Sequence, residues 1–184
     1  MSTAIDDLWA TVGEMFIPEG YRVEIIEGNI VVSPQSEVQS RLMRIIVRQL
    51  EDQLGHDANI TLDVPVDFPG YRNGYAPDLA VMAQDARVNA SGRYEWADVD
   101  AVIEIVSASS VDNDYLTKPK TYAKYSIPVY LIVDPLKGTC RLLTDPVHGK
   151  GYQKQLPLEF GDPVTFMLPD GREVSLETER FPRN

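Results

Sequence analysis

The chain of 184 residues is 43% hydrophobic and 24% charged, as is usual for a globular protein, and its formal net charge is −11. This length fits one domain with a substantial core, so we expect a single domain over residues 1–184, in which residues 1–20 form a helical N-terminal extension. No apolar run approaches the roughly 20 residues that a membrane helix needs. The acidic charge also argues against simple non-specific DNA binding, which depends on Lys and Arg contacts to phosphates.

The cysteine content and the N-terminal segment bear on the cellular compartment. Cys140 is the single cysteine, which excludes an internal disulfide and fits a reducing environment. The segment around Asp6 and Asp7 is acidic and lacks the basic and apolar regions of an export signal. We therefore expect a soluble cytoplasmic protein.

The first third of the chain predicts a helix, a hairpin and a longer helix. Ile5–Met15 is read as a short helix, and Val23–Val32 as a hairpin that turns at Glu27-Gly28-Asn29, where the residue types tolerate a positive φ. Glu24 on this hairpin is interpreted as an exposed strand residue in preference to a site acid. The second helix is placed at Ser36–Leu54.

This second helix has an apolar stripe and a basic face. The stripe consists of Val38, Leu42, Ile45, Ile46 and Leu50. Arg41, Arg44 and Arg48 recur at spacings of three and four on the opposite face, which makes them candidate nucleic-acid contacts. An ordinary solvated helix face is the alternative, and it is slightly favoured. Lys118, Lys120 and Lys124 form a second basic cluster further along the chain, in which Lys120 and Lys124 are the candidate nucleic-acid contacts.

Two apolar strands in the middle of the chain carry acids. Asn59–Phe68 predicts a strand, and after a loop at residues 69–74 the strands Asp78–Ala83 and Asp100–Ser107 follow. The last of these is apolar on both faces, so Glu104 within it needs a cation, a metal or a set of donors. Asp78 begins the neighbouring strand. Two such acids suit a hard divalent cation, which takes one or two carboxylates plus water and phosphate oxygens.

The region after Glu104 predicts a crossover to a parallel strand. A helix beginning near Asp114 or Thr117 leads to a strand at Val129–Val133, with Pro119 tolerated in its first turn. On this helix Lys118, Tyr122 and Tyr125 share a face. The tyrosines, including Tyr130, are interpreted as packing residues with a hydroxyl at the surface, and Ser107 and Ser109 as caps or orienting donors. Beyond the crossover, turns at Asp145-Pro146, Gly161-Asp162-Pro163 and Pro169-Asp170-Gly171 are predicted to separate strands at Cys140–Leu143, Tyr152–Leu156 and Val164–Leu168.

Several of these motifs occur together in one known family. They are Pro77-Asp78, Glu104–Ser109, Asp114, Lys118, Tyr122, Ile127–Pro135 and the hairpin Val23–Pro34. In this order and spacing they resemble the Uma-type family of bacterial proteins described as "putative restriction endonucleases", a branch of the PD-(D/E)XK nuclease superfamily. The resemblance runs from about Tyr21 to the C-terminal region.

The resemblance implies a fold and an activity. The fold class is α/β (α+β), with a restriction-endonuclease-like mixed central sheet flanked by helices and with added β-hairpins. The implied activity is that of an endonuclease in which Asp78 and Glu104 bind Mg²⁺ or Mn²⁺. The superfamily lysine usually lies two residues after the acid, where this chain has Val106; the Uma-type branch carries it on the next helix, which corresponds to Lys118. The implied partner is nucleic acid, with DNA expected, and a homodimer would suit the cutting of two strands.

A non-catalytic protein with the same fold is the alternative hypothesis, binding nucleic acid or a protein partner. The net charge favours it, and so do departures from the family pattern. A histidine usual in the first long helix is replaced near Ser40, and Ser126, Val129 and Leu131 stand where glycine, glutamate and tryptophan are usual. The intact set of Asp78, Glu104 and Lys118 favours the enzyme.

Overall fold

The structure is a computed structural model that describes residues 4–70 and 72–184. Residues 1–3 of the predicted N-terminal extension and residue 71 of the predicted loop lie outside the described residues. The α-helices found are α1 Ala4–Glu14, α2 Glu37–Leu54 and α3 Lys118–Lys124. The strands found are, in chain order, β1 Tyr21–Ile26, β2 Asn29–Pro34, β3 Ile60–Thr61, β4 Val66–Phe68, β5 Asn73–Tyr75, β6 Leu79–Met82, β7 Tyr94–Glu95, β8 Val99–Ile105, β9 Val129–Asp134, β10 Thr139–Val147, β11 Gly151–Glu159, β12 Val164–Met167 and β13 Glu173–Leu176.

A mixed six-stranded sheet in the order β11-β10-β9-β8-β6-β3 forms the centre of the fold. Its middle strands β8 and β9 are parallel, as predicted, and the other neighbouring pairs are antiparallel. These middle strands have nearly continuous apolar sequences because both of their faces are covered.

The crossover from β8 to β9 contains a π turn. The backbone is helical from residue 111, widens into a π turn at Asn113–Thr117 and continues as α3. Pro119 lacks a backbone N–H, and its ring would clash with the carbonyl of Tyr115 four residues earlier in a regular α-helix. The wider turn accommodates this proline in the first turn of α3, directly after Lys118.

The central sheet separates two apolar cores. On one face α2 and the β12–β13 hairpin pack against Ala101, Ile103 and Ile105 of β8. On the other face α3 and the five-stranded sheet β2-β1-β5-β4-β7 pack around Val102 and its neighbours. Because side chains alternate along a strand, Glu104 points to the same face as Val102. Glu104 therefore lies on the α3 side of the sheet.

The predicted hairpin and long helix are confirmed. The turn between β1 and β2 has φ values of 51° at Glu27 and 81° at Gly28, in the left-handed region that hairpin turns require. Ser36 caps α2: its hydroxyl accepts the Gln39 N–H, and the Gln39 side chain accepts the Ser36 N–H. The helix predicted at Ile5–Met15 corresponds to α1. No helix in residues 4–70 and 72–184 combines the length and the apolarity needed to cross a membrane.

Three details of the predicted strands are wrong. Asn59–Phe68 is not one strand, because Asp63 has a φ of 53° and breaks it into β3 and β4, which belong to different sheets. The Asp145-Pro146 turn lies inside β10, where Asp145 takes a φ of 57° while pairing with β11 continues on both sides. The loop predicted at residues 69–74 also contains the start of β5.

Candidate active site

Charged side chains are buried together between the central sheet, β1 and α3. They are contributed by β1 (Arg22 and Glu24), the residue before β6 (Asp78), β8 (Glu104), the π turn (Asp114) and α3 (Lys118). Asp63, in the segment that separates β3 from β4, lies at the edge of the group with 29% of its side chain exposed. The structure thus brings together the three catalytic residues predicted from the sequence, Asp78, Glu104 and Lys118.

Glu104 is held by one of its two carboxylate oxygens. Its Oε1 accepts hydrogen bonds from Lys118 Nζ at 2.8 Å and from the Tyr122 hydroxyl at 2.9 Å. Its Oε2 lies 3.4 Å from the backbone N of Asp78 and 3.9 Å from Arg22 Nη1. Oε1 is therefore fixed by strong donors, while Oε2 faces Asp78 and Arg22.

Asp78 is arranged in the same way. Its Oδ2 accepts the Ile105 N–H at 2.6 Å, and its Oδ1 accepts a hydrogen bond from Arg22 Nη1 at 2.6 Å. Partners of this kind fix the orientation of a carboxylate that binds a metal with its other oxygen. Asp78 Oδ1 and Glu104 Oε2 consequently face the same atom, Arg22 Nη1.

Lys118 is fully buried among carboxylates. Besides Glu104, its Nζ lies 3.1 Å from Glu24 Oε1 and 3.3 Å from Asp114 Oδ1. Burial acts to lower the pKa of this lysine, but the nearby carboxylates outweigh burial and raise it above its ordinary value. Lys118 is therefore a fixed positive charge and not a proton acceptor at neutral pH.

Glu24 and Tyr122 belong to this site, which corrects the interpretation from the sequence. Glu24 was expected to be exposed, but it is buried and accepts the Ala76 N–H at 3.1 Å. The signal was present, because Arg22 and Glu24 share one face of β1 with the core residue Ile26. The hydroxyls of Tyr122 and Tyr130 are also buried, where a surface position was expected.

Arg22 was not singled out by the sequence. Its Nη1 is 2.6 Å from Asp78 Oδ1 and 3.5 Å from Asp63 Oδ1, and its Nε is 3.8 Å from Glu24 Oε2. Its buried Nε has no hydrogen-bond partner, nor does Asp63 Oδ1. The local sequence around this arginine does not indicate that its guanidinium will contact acids far away in the chain.

The acids of the site differ in their affinity for protons. Burial raises the pKa of Asp78 well above its ordinary value, although Arg22 opposes the shift. Burial also acts to raise the pKa of Glu104, but Lys118 and Arg22 outweigh it and hold that pKa below its ordinary value. Burial raises the pKa of Asp114 to about 6. In the absence of another cation, Asp78 thus binds a proton more readily than Glu104 does.

The charge balance of the site fits a further cation. Five carboxylates, those of Glu24, Asp63, Asp78, Glu104 and Asp114, surround the two cations Arg22 and Lys118. No group of three or more His, Cys, Asp or Glu side chains in the part of the chain that the structure describes is arranged to hold a metal ion. Mg²⁺, however, takes one or two protein carboxylates and completes its shell with water and phosphate oxygens. Asp78 Oδ1 and Glu104 Oε2 fit that requirement.

The two predicted basic clusters lie on different sides of the central sheet. Arg41, Arg44 and Arg48 line a surface hollow of about 750 Å³ together with Arg180, on the outer side of α2. Because α2 covers the sheet face opposite to Glu104, the structure does not bring these arginines to the buried acids.

Lys120 and Lys124 lie on the same helix as Lys118. They line a cleft of about 560 Å³ with His148 and Lys150, which belong to the β10–β11 hairpin. Thr121 forms part of the cleft wall, and its hydroxyl is 3.0 Å from the hydroxyl of Tyr75, whose ring centroid is 5.7 Å from Lys118 Nζ. This basic cleft therefore adjoins the buried charged group.

Comparison with known proteins identifies the fold and then the family. The structure is similar to the crystal structure of "a putative nuclease belonging to DUF820" from Anabaena variabilis, with a TM-score of 0.61, 18% identity and coverage of 100% of this chain and 95% of that chain. The predicted restriction-endonuclease-like fold class is thereby confirmed. A comparison with curated proteins gives no match. The model of the Uma2 family, described as "Putative restriction endonuclease", matches residues 9–177, so the chain belongs to this family.

Proposed function

We propose that the protein is a metal-dependent endonuclease that hydrolyses phosphodiester bonds of nucleic acid. Family and fold indicate a nuclease of the restriction-endonuclease-like class. The observation that carries the finer proposal is the convergence of Asp78 Oδ1 and Glu104 Oε2 on one point, with each acid fixed through its other oxygen. Two carboxylate oxygens directed at one point match the one or two protein carboxylates that Mg²⁺ takes.

Each residue has a role that follows from its contacts. Asp78 and Glu104 would hold Mg²⁺ or Mn²⁺, and the bound ion would polarise the phosphate and lower the pKa of a water molecule. Lys118 keeps Glu104 in position, and its fixed charge stabilises the negative charge that develops on the phosphate. Its raised pKa makes Lys118 unsuitable as a general base.

The basic cleft beside α3 is the proposed contact for the nucleic-acid backbone. Lys120 and Lys124 supply its charge together with Lys150, and it adjoins the layer of side chains around Lys118. Arg41, Arg44 and Arg48 lie on the other side of the sheet and are proposed as a secondary contact.

The nature of the substrate and the setting of the protein are also proposals. We propose DNA as the substrate and a homodimer as the form that cuts both strands. We place the protein in the cytoplasm, because the lone buried Cys140 suits a reducing compartment.

Cleavage assays on site variants test the proposed function. The parent should cleave plasmid DNA or an oligonucleotide in Mg²⁺ or Mn²⁺, and Asp78→Asn and Glu104→Gln should each lose this activity while remaining folded. Glu173→Gln removes one charge from an exposed position on β13 and serves as the matched control. Cleavage that persists in both site variants would show that the roles are wrong. A parent that binds nucleic acid without cleaving it would favour the non-catalytic alternative.

A further inference from the structure

Arg22 occupies the position between the two acids to which the proposed function assigns a metal ion. Its Nη1 donates to Asp78 Oδ1 and lies 3.9 Å from Glu104 Oε2, whose other contact is a long hydrogen bond of 3.4 Å from the Asp78 backbone N–H. The guanidinium thus stands where a divalent cation would bind, and both cannot be there together.

Arg22 is surrounded by four carboxylates, but one of its buried donors is not used. A guanidinium has five N–H donors, and buried ones normally find partners. The buried Nε of Arg22 has none. Arg93 provides the contrast within the same chain, because its Nε and Nη2 donate to Asp67 at 2.7 Å and to Asp6 at 2.5 Å.

Two further carboxylates are near enough to receive Arg22 after a side-chain rotation. Asp63 Oδ1 lies 3.5 Å from Nη1 and lacks a hydrogen-bond partner, and Glu24 Oε2 lies 3.8 Å from Nε. A second arrangement of Arg22, paired with Asp63 and Glu24, would leave its charge compensated. The side chain therefore has two placements that differ in which acids it neutralises.

The exposed edge of this group of charges lies at Asp63, next to Arg22. Asp78 and Glu104 are fully buried, Arg22 is 5% exposed, and Asp63 next to it is 29% exposed. Exposure thus rises from the two acids through Arg22 to Asp63.

We propose, on the basis of the nuclease function above, that Arg22 is an exchangeable counter-ion. In the metal-free chain it neutralises Asp78 and covers the acids. It moves toward Asp63 and Glu24 when a divalent cation binds, and this movement opens the site. A ligand can shift such an equilibrium because it binds one of the two arrangements and is excluded from the other.

Nuclear magnetic resonance of the arginine Nε–Hε groups tests the exchange in the parent protein. The Arg22 signal is assigned by its absence from Arg22→Lys. Titration with Mg²⁺ should move or broaden this signal along the binding curve obtained by calorimetry, while the signal of Arg93 stays in place. Calorimetric binding of Mg²⁺ without a change at Arg22 would overturn the proposal.

Metal affinity provides a second measurement that does not depend on activity. Because the guanidinium competes for the site, Arg22→Gln should bind Mn²⁺ about tenfold or more tightly than the parent at pH 8. Arg93→Gln removes another buried arginine and should leave the affinity unchanged. An unchanged or weaker affinity in Arg22→Gln, with cleavage by the parent intact, would reject the exchange and leave the nuclease function standing. Absence of both metal binding and cleavage in the parent would instead reject the proposed function, and the exchange with it.

Discussion

Asp114 is the residue whose titration is most open to measurement. Burial raises its pKa to about 6, although Lys118 lies 3.3 Å away, and its Oδ1 has no hydrogen-bond partner. A folded-state pKa above the ordinary value of about 3.9 means that the folded chain binds this proton more tightly than the unfolded chain. The stabilising contribution of Asp114 is therefore present below about pH 4 and is lost as the pH rises through about 6.

We therefore predict that Asp114→Asn stabilises the protein at high pH. Asparagine resembles the protonated acid, so the free energy of unfolding at pH 8 should rise by on the order of 1–2 kcal/mol, and the gain should shrink as the pH falls toward 4. Urea denaturation across this pH range measures the difference. Asp112→Asn changes an exposed acid of the same helical segment and should have little effect. A difference that does not vary with pH would contradict the prediction.

At the scale of residues, the sequence predicted the acids better than their partners. Glu104 could be found because an ionisable group in a strand that is apolar on both faces must have a partner. Asp78 and Lys118 followed from their order in the family pattern. Arg22 could not be found, since nothing local relates a residue of β1 to two acids more than 50 positions later.

The N-terminus of α2 connects the capping of a helix with the position of Asp78. The Gln39 side chain accepts the Ser36 N–H through Oε1 and donates through Nε2 to the Ile105 carbonyl at 3.1 Å. The N–H of Ile105 in turn donates to Asp78 Oδ2. The cap thus supports the end of β8 that carries the site.

We predict that Gln39→Ala destabilises the protein more than Ser36→Ala does. Loss of the Ser36 cap should cost about 1 kcal/mol, as is usual for an N-cap. Loss of Gln39 removes its half of the capping box and also leaves a buried carbonyl of Ile105 without this donor, which adds about 1 kcal/mol or more. Chemical denaturation compares the two, and Ser36→Thr, which keeps a capping hydroxyl, should stay close to the parent. An equal or larger loss in Ser36→Ala would mean that Gln39 does not support β8.

At the scale of elements, regular patterns were predictable and backbone exceptions were not. The hairpin β1–β2, the helix α2 and the parallel pair β8–β9 followed from turn residues, helical periodicity and continuous apolar runs. The break at Asp63 and the irregularity at Asp145 involve positive φ values at residues other than glycine, which residue type alone does not reveal. The π turn before α3 belongs with these exceptions, although Pro119 indicated that the helix could not be regular there.

The whole molecule carries a net charge of −11, so nucleic acid must be attracted locally against an overall repulsion. Two basic surfaces predicted from the sequence could do this: the cleft lined by Lys120, Lys124 and Lys150 and the hollow lined by Arg41, Arg44 and Arg48. Only the cleft lies on the side of the sheet that holds Glu104. The sequence alone could not show which cluster lies on the side of Glu104, because α2 and α3 both have a basic face and neither sequence indicates which face of the sheet its helix covers.

We predict that nucleic-acid binding is weak and steeply salt dependent, and that the cleft contributes most of the dependence. Each lost phosphate contact should reduce the slope of log K against log salt by about 0.9, so Lys120→Ala combined with Lys124→Ala should reduce it by about 2. Arg44→Ala combined with Arg48→Ala should reduce it less. Fluorescence anisotropy across a salt series measures the slopes, with Lys137→Ala as a control for an exposed lysine outside the cleft. If binding does not change with salt, or does not change when Lys120 and Lys124 are both replaced by alanine, the nucleic acid contacts another surface.

Titration calorimetry with Mn²⁺ tests the central claim most directly, because it measures the assignment of the two acids without requiring a known substrate. The parent should bind Mn²⁺, with an affinity that rises with pH because the raised pKa of Asp78 makes protons compete with the metal. Glu104→Gln and Asp78→Asn should each weaken binding strongly, whereas Glu173→Gln should bind as the parent does. Equal Mn²⁺ affinity in the parent and in both site variants would contradict the account.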